Sequence, residues 1–261
     1  MHRPLAVPSL KEPTLKADPS AQLKLLDVQE LDARADQLRH QRTHLPELAE
    51  IAELKQQRAA LDDRVRDARI LVDDLTVEQT KVDADVEQVK ARRTRDRDRM
   101  DQGLITNPKD LERMQQELVS LERRITTLED EELEVMERLE AAQMEFDRAT
   151  SELAETDARL AALASARDQK LAALDEELAS VAAERVPTAE GLPADLVALY
   201  DRLREQKGGV GAAALRARAC GGCRLTVDNA EIAVIRAAAD DEVIRCEECQ
   251  RILVRTPESG L

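Results

Sequence analysis

The sequence repeats apolar residues at alternating steps of three and four over two long stretches. The first repeat spans residues 51–89 with ten apolar positions out of twelve, and the second spans residues 111–163 with fourteen out of sixteen. The polar exceptions are Arg58, Gln79, Glu132 and Thr156. Because the intervening residues are largely Asp, Glu, Arg and Gln, each stretch predicts a long helix with one apolar seam, as in a coiled coil.

A short segment near residues 102–108 interrupts the two repeats. Gly103 can end one helix, and Asn107 can cap the next, with Pro108 at its first position. The flanking arms are 82 and 78 residues long. Arms of such similar length predict an antiparallel coiled-coil hairpin over residues 20–186. A parallel dimer of two unbroken helices is the alternative, and the turn argues against it.

The predicted hairpin is flanked by two unlike ends. Residues 1–19 contain four prolines and no periodicity, so we expect a disordered leader. Pro46 predicts a kink in the first arm, and Pro187 predicts the end of the second. Residues 192–261 predict a separate domain with a short amphipathic helix, a glycine-rich stretch, short strands and a second small helix.

Composition supports a mostly α fold. Charged residues make up 36% of the chain, with one Phe, one Tyr and no Trp, and the apolar residues are mostly Ala, Leu and Val, as in long helices. No apolar run of membrane length and no export signal is recognisable, so we expect a cytoplasmic protein without a membrane span. Since no GxxxxGK phosphate loop or Ser–His–Asp set is recognisable either, we expect no enzymatic activity.

The four cysteines form two CxxC pairs, Cys220 with Cys223 and Cys246 with Cys249, which enclose 22 residues. Each CxxC turn directs two thiolates to one metal, so two turns supply the four sulfur ligands of a tetrahedral zinc site. In a reducing cytosol such pairs are more often metal ligands than disulfides. A complete set of thiolates leaves no open position, which predicts one structural Zn²⁺. Redox chemistry, a disulfide and an iron–sulfur cluster are the alternatives.

Several segments together resemble those of a known family. They are the turn at residues 107–112, the helix with Tyr200, the glycines at 208–211, CGGC at 220–223 and CEECQRIL at 246–253. These resemble the bacterial C4-type zinc-ribbon proteins with a long N-terminal helical hairpin, once a domain-of-unknown-function family. The resemblance implies an elongated, kinked coiled coil with a zinc-ribbon head. It also implies a nucleic-acid-binding or regulatory role, without an enzymatic activity common to its members.

The second cysteine pair departs from that family's usual pattern. Relatives usually have a sequence like CPxCGR, whereas here Gln250 replaces the glycine and the pair encloses Glu247 and Glu248. Glycine suits a positive φ at this position, so we expect Gln250 to be strained by about 1 kcal/mol. The two glutamates lie beside a thiolate site of negative charge and repel phosphate, which weakens a nucleic-acid role.

Charge leaves two kinds of partner open. The net charge is −15, but residues 196–261 carry ten acidic and ten basic residues, so the acidity belongs to the helical part. Arginine can bind phosphate, and the candidate nucleic-acid residues are Arg202, Arg204, Lys207, Arg216, Arg218 and Arg224. These side chains also balance the thiolate charge, and aromatic platforms for stacking bases are absent. We therefore expect an adaptor that binds protein partners, with nucleic-acid binding by the ribbon as the alternative and the oligomeric state left open.

Overall fold

The computed structural model describes residues 15–261, and helices dominate it. The elements are α1 (Pro19–Thr43), α2 (Pro46–Asp101), α3 (Pro108–Ala189), α4 (Ala194–Gln206), β1 (Ala212–Arg216), β2 (Ala219–Cys220), α5 (Asn229–Ala237) and β3 (Ile252–Val254). They group into two compact units. The first unit contains the described residues up to Leu45 together with Arg167–Leu261, and the second contains Pro46–Ala166. Among the described residues, no helix combines the length and apolarity needed to cross a membrane.

The second unit is an antiparallel pair formed by α2 and the first part of α3. All twelve repeat positions on α2 and all sixteen on α3 are buried or half-buried. Ion pairs between the helices run in opposite directions along them: Arg58 with Asp157, Glu78 with Arg138, and Arg92 with Glu117. The prediction of an antiparallel coiled-coil hairpin is therefore confirmed.

The two helices of this unit are joined by a short turn that caps both of them. Gly103 follows α2 with a φ of 65°, a conformation that glycine adopts at little cost. Before α3, the Asn107 side chain accepts the N–H of Lys109 at 3.0 Å. Pro108 is the first helical residue, where its missing N–H costs nothing. The turn therefore uses the residue types that end and begin helices.

The first unit is built on a small sheet with strand order β2-β1-β3. Strand β1 pairs antiparallel with β2 and parallel with β3. Because side chains alternate along a strand, Ile252 and Val254 join an apolar cluster with α1 and α4. Leu215 and Leu253 join a second cluster with α5 and the cysteines. The sheet thus separates two small cores.

Helix α1 is docked on the ribbon by both apolar and polar side chains. Leu25 and Val28 are buried in the core that includes β3. The Gln29 side chain accepts the backbone N–H of Gly211 at 2.7 Å and donates to a carbonyl of the same loop at 3.0 Å. The sequence pattern assigned this helix to the hairpin and the ribbon to residues 192–261. The contacts group α1 with the ribbon instead, because its partners lie far away in sequence.

Two other boundaries differ from the sequence-based expectation. Helix α3 continues through Pro187 to Ala189, because a proline in the last turn removes few of the helix's hydrogen bonds. The predicted leader falls mostly outside the described residues. Its last part, from Leu15 to Asp18, lies against the ribbon, where the Val243 N–H donates to the Leu15 carbonyl at 2.9 Å.

Candidate metal centre

The two CxxC segments adopt the same backbone turn. In each, the residue after the second cysteine donates its N–H to the carbonyl of the first, Arg224 to Cys220 and Gln250 to Cys246, both at 2.8 Å. Arg224 and Gln250 have φ values of 64° and 63°. This conformation disfavours residues with a Cβ, so the strain expected at Gln250 is present and Arg224 shares it.

The four sulfur atoms converge on one point. The Sγ atoms of Cys220 and Cys249 lie 3.9 Å apart, and those of Cys223 and Cys246 lie 4.0 Å apart. All four lie within 4.8 Å of one another. Sulfurs bound at ~2.3 Å to a tetrahedral Zn²⁺ stand about 3.8 Å apart. The spacing therefore fits one ion, and the prediction of one structural zinc is confirmed.

The surroundings of the thiols make a cation necessary for their ionisation. Burial raises the pKa of Cys220 above its ordinary value and that of Cys246 to about 12. Burial also acts to raise the pKa of Cys249, but hydrogen bonds, chiefly from the Arg251 backbone N–H, lower it to about 7. Bound Zn²⁺ supplies the positive charge that keeps all four groups as thiolates.

The metal centre is continuous with the second small core. Cys220 and Cys246 are buried together with Ile232 and Ile235 of α5 and with Leu253 of β3. This core contains few large apolar side chains, so burial alone gives it limited stability. A metal that joins both turns therefore supports α5 and the sheet.

A charged cluster joins α1, α3 and α4 in the first unit. The Asp32 side chain is buried and accepts a hydrogen bond from Tyr200 Oη at 2.8 Å and one from Arg185 Nε at 2.7 Å. Burial alone would raise the pKa of Asp32, but these bonds and the charges of Arg185 and Arg204 hold it below its ordinary value. Burial and the same carboxylate raise the pKa of Tyr200, so its hydroxyl remains a donor.

Three of the six candidate nucleic-acid residues have partners within the protein. Arg204 forms ion pairs with two carboxylates of α1, those of Asp32 and Asp36. Arg216 pairs with Glu258 at 3.3 Å. Arg218 Nη2 donates to the Asn229 side chain at 2.7 Å. A phosphate would have to displace these partners.

The other three candidates have different surroundings. Lys207 and Arg224 have no hydrogen-bond or ion-pair partner for their side chains among residues 15–261. Arg202 lies in a groove that also contains carboxylates. The six side chains therefore do not share one environment, contrary to the expectation of a common basic face.

This groove lies between α4, α5 and the segment before the second cysteine pair, and the sequence pattern did not reveal it. Its volume is about 590 Å³, and apolar residues such as Leu199 and Ile235 line it. Val234 also lines it and is 66% exposed. The charged residues of the groove are Asp195, Arg202, Glu231, Glu242, Arg245 and Glu247. The sequence signal was Val234, an apolar residue off the buried face of α5.

Comparison with known proteins assigns both parts of the chain. Residues 28–208 match the CT398-like coiled coil hairpin domain, and residues 219–253 match the C4-type zinc ribbon domain. A Mycobacterium tuberculosis protein, "Uncharacterized protein MT2288", is 37% identical over 241 residues, which are 92% of this chain and 98% of that protein.

Solved structures agree with this assignment. One from Mycobacterium smegmatis is 36% identical with a TM-score of 0.79, over 92% of this chain and 100% of that chain. The structure of CT398 from Chlamydia trachomatis has a TM-score of 0.64 at 18% identity, over 91% of this chain and 98% of that one, which is a likeness of fold. The chain therefore belongs to the family with a CT398-like coiled-coil hairpin and a C4-type zinc ribbon.

Proposed function

We propose that this protein is a non-catalytic adaptor with a regulatory role, and that it binds a protein partner through the groove between α4 and α5. The observation that carries the proposal is the lining of that groove. Solvent-exposed apolar surface, including Val234, lies among charged side chains of both signs. An apolar centre within a polar rim is the usual composition of a protein–protein interface.

The charges of the groove favour protein over nucleic acid. Four carboxylates line it against two guanidinium groups, those of Arg202 and Arg245. One of the carboxylates, Glu231, is partly buried, and this burial raises its pKa. Four thiolates around Zn²⁺ add further negative charge nearby, since Cys246 follows the segment that lines the groove. Phosphate backbones are repelled by such a surface, whereas a protein with complementary charges is not.

Zinc serves as a structural element in this proposal. Four thiolates fill its tetrahedral shell, whereas catalytic zinc sites keep one position for water or substrate. The thiols also require a reducing compartment, so we place the protein in the cytoplasm.

Site-specific photo-crosslinking in living cells tests the proposed interface. The crosslinking residue replaces Val234 in one variant and Leu225 in a matched control. Leu225 is also an exposed apolar residue of the ribbon unit but does not line the groove. We expect a discrete protein adduct from position 234 that is absent from position 225 and that weakens when Arg202→Glu is added.

Mass spectrometry of the adduct then distinguishes the two candidate functions. A peptide from another protein, crosslinked at position 234, supports the adaptor. Adducts that disappear on nuclease treatment would favour nucleic-acid binding by the ribbon. Equal, diffuse labelling from both positions would refute the groove as an interface.

A further inference from the structure

A second apolar groove lies on the hairpin, within the second unit. It has a volume of about 550 Å³ between α2 and α3. Its most exposed apolar side chains are Leu133, Met136 and Met144, at 59%, 44% and 62% exposure. Contiguous exposed apolar surface of this kind marks interaction sites, and methionines adapt their shape to different partners.

The spacing of these residues suits a helical partner. Leu133, Met136 and Met144 follow one another at steps of three and eight, so they lie on one face of α3. The span from Leu133 to Met144 covers eleven steps, or about 16 Å at ~1.5 Å per residue. Val72 and Thr76 of α2 form the opposite side. A trough of this length accommodates about three turns of an amphipathic helix.

The charged residues of this groove are all acidic. Glu137 and Glu140 line it, and neither forms an ion pair within residues 15–261. Nearby carboxylates of the hairpin do have cationic partners, as in the pairs of Glu78 with Arg138 and of Glu145 with Arg64. The groove thus presents two unpaired negative charges beside an apolar floor.

We propose that this groove binds an amphipathic helix of another protein that carries Lys or Arg beside its apolar stripe. The proposal extends the adaptor function and adds a second contact surface to it. A second copy of the same chain is disfavoured, because a symmetric pair would bring Glu137 and Glu140 of both copies to the same apolar face. Nucleic acid is disfavoured by the same two carboxylates.

Fluorescence anisotropy with designed peptides tests this proposal on the full, zinc-loaded chain. The probe is a labelled helical peptide of about 16 residues, with Leu every third or fourth position and Lys beside that stripe. We expect the double variant Met136→Glu/Met144→Glu to weaken binding about tenfold or more. Replacing the carboxylates, in Glu137→Gln/Glu140→Gln, should weaken it about two- to tenfold and reduce its dependence on salt.

Two controls separate specific docking from general attraction to an acidic protein. Val119→Glu changes another exposed apolar residue of α3 that does not line the groove, and it should leave the affinity within about twofold. A peptide with Glu in place of Lys should bind about tenfold more weakly or not at all.

The possible results either support or overturn the proposal. Equal binding of the Lys and Glu peptides, or equal effects of the Val119 and Met136/Met144 changes, would overturn it. So would self-association in sedimentation velocity that the Met136→Glu/Met144→Glu variant abolishes, because the occupant would then be a second copy. None of these results alters crosslinking from position 234, so failure here and failure of the adaptor function are distinguishable.

Discussion

Replacing Asp32 by Asn should destabilise the first unit by about 2 kcal/mol. The substitution keeps the shape of the side chain but removes its charge. The Asp32 carboxylate accepts one hydrogen bond from Tyr200 and two from Arg185, at 2.8, 2.7 and 3.2 Å. A hydrogen bond to a charged group contributes about 1 kcal/mol more than a neutral one, which gives about 3 kcal/mol. Because the Arg185 side chain is 34% exposed, water compensates part of this loss.

Tyr200 makes the measurement specific to this unit. It is the only tyrosine of a chain without tryptophan, so its fluorescence during urea unfolding reports on the first unit, whereas circular dichroism is dominated by the long helices. The matched control is Asp27→Asn, the same chemical change at an exposed position of α1. It should shift the free energy of unfolding by less than about 0.5 kcal/mol.

The sign of the pH dependence gives an independent check on the same reasoning. The pKa of Asp32 is lowered in the folded state, so its contribution is complete above the unfolded pKa of about 4 and is lost as the pH falls through the folded value. At pH 7 the wild type should therefore exceed the Asn variant in stability. If Asp32→Asn and Asp27→Asn unfold at the same urea concentration at pH 7, the cluster does not stabilise the unit as argued.

Three further changes test the ribbon and its contact with α4. Gly211→Ala should destabilise the first unit by about 1–3 kcal/mol in urea unfolding, because a Cβ there lies 2.6 Å from the Tyr200 carbonyl oxygen. Gln250→Gly should stabilise it by about 0.5 kcal/mol, since relief of the positive φ exceeds the added freedom of the unfolded chain, and zinc loss to a competing chelator should become slower. Removal of zinc should abolish hydrogen-exchange protection at residues 219–227 and 246–253 while α2 and α3 keep theirs.

Each of these expectations has an outcome that contradicts it. Wild-type stability of Gly211→Ala would mean that the loop relaxes away from Tyr200. Faster zinc loss from Gln250→Gly would show that the glutamine side chain, which donates to the Glu247 carbonyl at 3.0 Å, supports the turn more than its φ strains it. Unchanged exchange at both cysteine turns after zinc removal would show that the apolar core holds them without metal.

The sequence was sufficient for features whose partners are local or periodic. The seams of α2 and α3 follow from a repeat that gives each helix one apolar face, and the sizes of the two arms follow from the turn at Gly103 and Asn107. The metal ligands follow from the chemistry of paired thiols. Even the strain at Gln250 followed from the residue type that this turn favours.

The features that the sequence did not reveal depend on distant partners. Gln22, Gln29 and Asp32 are polar residues on α1, and nothing near them in sequence indicates burial. They are buried because backbone groups of the ribbon, or side chains of α3 and α4, satisfy them. Arg204 was a candidate phosphate ligand for the same reason, since its carboxylate partners lie about 170 residues earlier in the chain.

The docking of α1 on the ribbon has a consequence for synthesis. Gln29 and the Gly211 N–H that it accepts are separated by 182 residues. At roughly 5–20 residues per second, a ribosome needs roughly 10–40 s to connect them. During that interval the apolar and polar face of α1 has been made but its site has not, so the first helix to emerge is among the last to find its place, and a chaperone has that time in which to act on it.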